Sequence, residues 1–157
     1  MRSGGAVSPT EAPPGASLLL ATFVVRDALY GLDASRIQEV IRLGSLTSVR
    51  HARPEVTGIV NLRGKIVTIL DLGLRLGFDA AIHTAESRVF IIEDRNEFLG
   101  LLVDRVDEVV EVERDQCQPA PANLPSARAS YFQGVYRVAG RAITVLEPGP
   151  ILAEGDA

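Results

Sequence analysis

Tryptophan is absent, cysteine and lysine occur once each, and aromatic residues make up only 5% of the 157-residue chain. A single cysteine, Cys117, cannot close a disulfide within the chain, which fits a reducing compartment. No apolar run approaches the ~20 residues needed to cross a bilayer. The N-terminus shows no basic segment followed by an apolar core, so no secretion signal is expected and the chain is placed in the cytoplasm. Net charge is −4, and Lys65 is the only lysine among 16 basic residues. That speaks against a nucleic-acid binder, which needs a basic face and, in a small-barrel protein, aromatic platforms for the bases. The two histidines, His51 and His83, lie with Cys117 in presumed loops, without the close spacing that would mark a Cys–His nucleophile or a three-ligand metal site. Paired acids such as Glu93–Asp94 and Asp107–Glu108 read as solvated faces. No catalytic residue, metal or cofactor is expected.

What is present is Val, Ile and Leu, in short runs of the kind that form strands. Residues 58–73 contain two such runs around a Gly-bearing turn, Leu62-Arg63-Gly64, which is the pattern of a β-hairpin. Residues 134–149 repeat it without a gap. Gly58, Gly64, Thr68, Leu70 and Gly73 recur as Gly134, Gly140, Thr144, Leu146 and Gly149, each displaced by 76. A second correspondence, displaced by 69, sets Gly31, Arg36, Glu39 and Val40 against Gly100, Arg105, Glu108 and Val109. Upstream, Phe23-Val-Val is matched to Phe90-Ile-Ile, which implies a turn two residues longer in the second copy.

Taken in order, residues 1–17 are rich in Gly, Ser, Ala and Pro and read as a flexible leader. Residues 18–25, 29–32 and 37–43 read as strands, with Asp33 capping one helical turn through Arg36. The helical alternative for residues 33–43, open because Ile37, Val40 and Ile41 also fit a 3.6 period, is settled by the strand-like alternation of Val106, Glu108, Val110 and Val112 in the second copy. Residues 115–130, with Pro119, Pro121 and Pro125, form a loop. Asp71 caps the short turn after the first hairpin, and the repetition of Gly58 and Gly64 as Gly134 and Gly140 gives them a backbone role. Two segments, about 23–77 and 90–149, thus hold five short strands each. Closure into small barrels removes exposed edges, and packing two such undersized units together leaves a groove between them. Charge is uneven: residues 42–65 carry five basic groups and one acid, whereas residues 90–115 carry nine acids and three arginines. Solvated faces explain this simply; guidance of an ordered association with a partner is the functional alternative.

Spaced across residues 18–152, several motifs together are specific: Arg36-Ile-Gln-Glu39, Gly58-Ile-Val-Asn-Leu-Arg-Gly64, Ile69-Leu-Asp-Leu72, Gly100-Leu-Leu-Val-Asp104 and Tyr131-Phe-Gln-Gly-Val135. In these the chain resembles the CheW family of bacterial chemosensory coupling proteins. The resemblance implies a mainly β fold of two SH3-like five-stranded barrels packed side by side, spanning residues 18–152, with a tail at 153–157. It also implies a non-catalytic adaptor recruited to membrane-anchored arrays. Its partners would be the chemoreceptor cytoplasmic tip, the regulatory domain of a CheA-type histidine kinase, and other CheW-like domains in rings. The alternative is a relative serving gliding, twitching or another chemosensory pathway that binds receptor but not kinase. By position, the residues implied at the receptor and kinase contacts are Ile37, Glu39, Gly58, Asn61, Arg63, Gly100, Leu101, Leu102 and Val103. The planar fork of an exposed Arg63 suits carboxylates on a receptor helix; the plain structural alternative is that Arg63 and Glu39 pair with each other. The hairpin carrying Asn61 and Arg63 is functional once only, since Arg137 and Ala139 replace them in the second copy. Pro148 and Pro150 predict a C-terminal helix that is short or absent.

Overall fold

The structure, a computed structural model, describes residues 16–44, 46–47, 54–79, 83–120 and 129–153. Most of the expected leader, His51, Pro121, Pro125 and residues 154–157 lie outside these. Among the described residues are ten strands: β1 (Ser17–Val25), β2 (Ala28–Asp33), β3 (Ile37–Arg42), β4 (Val56–Leu62), β5 (Lys65–Asp71), β6 (Arg88–Asp94), β7 (Glu97–Val103), β8 (Arg105–Glu113), β9 (Phe132–Val138) and β10 (Arg141–Leu146). A short helix α1 (Leu72–Arg75) follows β5, α2 (Pro148–Ala153) follows β10, and single 3₁₀ turns occupy Ala34–Arg36 and Arg114–Gln116. The leader ends earlier than expected, because Ser17 already pairs with Glu113. Asp71 caps α1 by accepting from the Leu74 N–H at 3.3 Å, and Asp33 caps its 3₁₀ turn by accepting from Ser35 N at 2.9 Å. Both prolines of α2 fall in its first turn, where backbone N–H groups need no intrahelical partner, so the helix forms and is short.

The strands assemble into two five-stranded sheets, ordered β8-β1-β2-β10-β9 (barrel A) and β3-β6-β7-β5-β4 (barrel B). This is the expected pair of SH3-like barrels, mainly β with short helical turns, but the expected boundaries at 23–77 and 90–149 do not hold. Each barrel takes two strands from one repeat and three from the other. The chain leaves barrel A after β2, builds β3–β7 in barrel B, and returns through Asp104. Repeat spacing is blind to this exchange, because strand pairs within a repeat and between repeats are chemically alike and only the connections decide which form. The repeat also carries one slip. Val25 pairs with Ala28 and Asp94 with Glu97, so both hairpins close on two-residue loops and neither turn is longer. The structural displacement is 69 from the first strand of each repeat through the third, matching Phe23 to Ile92 rather than to Phe90. A slip of two residues keeps each side chain on its own face, which is why the apolar pattern could not reveal it.

All four tight hairpins have two consecutive residues with positive φ, for example Arg63 (52°) and Gly64 (86°), the geometry whose twist matches paired strands. Each sheet closes through one bridge between equivalent positions, Thr47 with Ile59 and Gln118 with Val135, at N···O distances of 2.8–3.0 Å. Gly58 and Gly134 permit that closure. A Cβ on Gly58 would stand 2.8 Å from the Thr47 carbonyl oxygen, and one on Gly134 2.5 Å from that of Gln118.

Apolar strands such as β1 and β6 are buried on both faces, which explains their unbroken runs. Leu18, Leu20, Tyr136, Ile143 and Val145 fill barrel A; Val67, Ile69, Val89, Ile91 and Leu102 fill barrel B. The opposite faces form a third cluster between the barrels, containing Phe23, Tyr30, Leu32, Leu70, Phe90, Ile92, Leu101, Leu146 and Ile151, with the Phe23 and Phe90 rings edge-to-face at 5.0 Å. Among the described residues that central cluster has fifteen buried side chains against six and five inside the barrels, so most of their core belongs to the contact between the barrels. Polar ties reinforce the seam: Asp104 accepts from the Arg26 backbone N–H at 2.7 Å, and Arg75 Nε donates to the Ile151 carbonyl at 3.0 Å.

Candidate functional site

The β4–β5 hairpin tip leans over the mouth of barrel B. Asn61 shapes the tip, its Oδ1 accepting from the Gly64 N–H at 2.9 Å. Arg63 reaches across to β3 and grips the Glu39 carboxylate with both terminal nitrogens, Nη1 at 3.3 Å from Oε2 and Nη2 on Oε1. The hydrogen bond to Glu39, aided by its charge, raises the Arg63 guanidinium above its ordinary value. The pairing anticipated as the structural alternative therefore exists, yet the Arg63 side chain remains 70% exposed. Beside it, Lys65 Nζ lies 4.5 Å from the centre of the Phe98 ring, and Gln38, Leu62 and Ile91 complete a shallow depression.

Barrel A has a corresponding depression, lined by Asp107, Glu108, Val138, Ala139 and Arg141 at the equivalent positions. Its tip carries no counterpart of Arg63. Arg141 does the tying instead, with Nη2 2.7 Å from Asp107 and Nη1 3.9 Å from Glu108; its hydrogen bond holds the Asp107 carboxyl below the usual range.

The remaining residues on the expected contact list do not gather here. Gly100, Leu101, Leu102 and Val103 lie on β7, the middle strand of sheet B, with β6 on one side and β5 on the other. All four are buried: Leu102 faces the barrel interior, Leu101 and Val103 face the central core, and Gly100 packs against Ile69 and Val89. Neither a side chain nor a free backbone edge is left for a partner, so these four are core residues. Gly58 is likewise buried under the closing bridge.

Ile37 is half-buried against the central cluster, at the edge of a surface formed by residues that the family motifs did not single out. β3 and β8 are the equivalent outer strands of the two barrels, and both start at the seam where the chain crosses over. With a bulge at the start of each strand, Val40 faces outward on β3 and Val106 and Val109 on β8, while Ile37 stays packed against the central cluster. Val40 is 46% exposed and Val109 58%, with Val106 and Leu19 of the neighbouring β1 also open. The available signal was a solvent-facing valine at the same place in both repeats, which strand alternation alone assigns to neither face. Among the described residues no cluster of His, Cys, Asp and Glu could hold a metal ion, and no helix is long and apolar enough to cross a membrane.

These features define a duplicated, strand-exchanged two-barrel module with an apolar saddle along its seam. Residues 20–156 match the model of the CheW-like domain, and the chain belongs to that family. It is 30% identical over 128 residues to a chemotaxis protein CheW of Rhizobium meliloti, covering 82% of this chain and 83% of that protein. It is 27% identical over 100 residues to Protein PilI of Pseudomonas aeruginosa, covering 64% and 56%. Among solved structures it is similar to the scaffolding protein TtCheW of Thermoanaerobacter tengcongensis, with a TM-score of 0.80 and 27% identity over 87% of this chain and 92% of that one.

Proposed function

We propose that this protein is a non-catalytic cytoplasmic adaptor that couples chemoreceptor cytoplasmic tips to a CheA-type histidine kinase. The observation that carries the proposal is the apolar saddle of exposed Val40, Val106 and Val109, with half-buried Ile37 beside them, in a chain of this family. Exposed aliphatic residues aligned along a seam offer a trough for the apolar face of a receptor helix, and a binding surface of this kind needs no reacting group. The β4–β5 tip supplies a second contact. There Glu39 holds Arg63 in place without covering it, so the guanidinium keeps donors free for a partner carboxylate.

Co-sedimentation with receptor cytoplasmic fragments, with and without the kinase regulatory domain, tests the proposal. Binding to both is the expected result, weakened by Val109→Asp against the receptor and by Arg63→Ala against at least one partner, with melting temperatures unchanged. A folded protein that binds neither partner overturns it. The similarity to Protein PilI, a relative not named for chemotaxis, supports a second reading. Under it, the chain serves another chemosensory pathway, and retention by receptor fragments without kinase would select it.

A further inference from the structure

The two walls of the saddle are equivalent in backbone and in their valines, but not in charge. Beyond Val40 the next outward residue of β3 is Arg42, paired across to Arg88 of β6. At the corresponding place beyond Val109 on β8 stands Glu111, paired across to Leu19 of β1. One wall therefore ends in two arginines and the other in a glutamate beside a leucine. Of the other charges near the saddle, Glu39 is tied to Arg63, Asp107 to Arg141 and Asp104 to Arg26, while Arg36 and Arg105 stand at equivalent places at the start of the two walls and carry the same sign. Arg88 is turned onto the carbonyls of Ala85 and Ser87 at 2.9 and 2.8 Å. Arg42 and Glu111 are exposed, and among the described residues neither has an ion-pair partner.

We propose that Arg42 and Glu111 set the direction in which a receptor helix lies in the saddle, by demanding an acidic residue at the Arg42 end of its apolar stripe and a basic residue at the Glu111 end. This rests on the saddle being the receptor-binding face. The apolar stripe alone fixes direction poorly, because its most exposed members, Val40 and Val109, are the same residue at equivalent places on the two walls. Opposite charges at equivalent ends remove that degeneracy: the correct orientation pairs two charges, and the reversed one sets like charges together, the repulsive contact that gives an interface its specificity.

The test uses the full chain and a receptor cytoplasmic-tip fragment from the same genome, with affinity measured at low and high salt. Arg42→Glu and Glu111→Arg should each weaken binding several-fold at low salt and less at high salt. Arg42→Glu should be rescued by a fragment in which one acidic residue near the tip is changed to Lys, and Glu111→Arg by one in which a basic residue at a different place is changed to Glu. Should both reversals leave affinity unchanged while Val109→Asp abolishes it, the charge assignment is wrong although the saddle still binds receptor. Should Val109→Asp have no effect either, the receptor-binding face itself is misassigned. Should the reversals change only the sedimentation of the chain with itself, the occupant is a second copy and the proposal is overturned.

Discussion

Arg75 lies with its guanidinium almost wholly out of solvent, where charge is costly unless paired. Its Nη1 stands 3.6 Å from the Glu55 carboxylate and its Nε holds the Ile151 carbonyl, so one side chain joins the start of β4, α1 and α2. Removing it strands a largely buried acid. Arg75→Ala is expected to cost about 3 kcal/mol, or roughly 6–12 °C of melting temperature for a chain of this size. The double change Arg75→Met with Glu55→Leu should be less damaging, because no unpaired charge is then left inside. Thermal melts of the two variants measure the difference, and equal losses would mean that packing, not charge, is what Arg75 supplies. Tyr136 gives a second residue-scale expectation. Burial, followed by the neighbouring Cys117, pushes its phenol up from 10.0 to about 12. The folded state thus holds the proton more tightly than the unfolded chain, and the stability this contributes is complete below pH 10 and lost as pH climbs toward 12. Urea denaturation at stepped pH should show Tyr136→Phe losing less stability than the parent across that interval.

At the scale of elements, β7 shows both what the sequence disclosed and what it withheld. The residue pattern located the strand, and family motifs drew attention to Gly100 and its neighbours, but a motif cannot distinguish a residue kept for contact from one kept for packing. Space decides here: a Cβ on Gly100 would come within 2.6 Å of Ile69 Cδ1 and 2.7 Å of Val89 Cγ1. Gly100→Val should therefore destabilise by about 1–3 kcal/mol through overpacking, and partner binding at temperatures where the variant stays folded should be normal. A stable variant with lost binding would return β7 to the contact list. The β4–β5 turn and the caps were legible for the opposite reason, since each depends on residues within a few positions of one another: Asp71 on Leu74, Asp33 on Ser35, Arg63 beside Gly64. The backbone role of Gly58 and Gly134 was legible only because the repeat carries both. The saddle was not legible, because an outward valine on β3 or β8 looks in sequence like an inward one until the bulge that reorients the strand is seen.

For the molecule as a whole, the decisive feature is that two repeats of similar design do not make two separate barrels. The first repeat gives β1 and β2 to barrel A and β3–β5 to barrel B, and the second gives the complement. Pulling the barrels apart would break no strand pairing inside either, but would expose the central cluster, which among the described residues holds more buried side chains than the two barrel interiors together. Pulling the repeats apart would break both sheets, at β1–β8, β2–β10, β3–β6 and β5–β7. Cutting the chain between Asp79 and His83 therefore separates two pieces that each lack part of both barrels. Either piece alone should be unfolded by circular dichroism. Mixed, they should assemble one to one with the spectrum of the intact chain and should bind receptor fragments as it does. Independent folding of either piece into a stable monomer would mean that a repeat can close its own barrel, and that the exchange is imposed by the short crossovers at Ala34–Arg36 and Asp104 rather than by the central core.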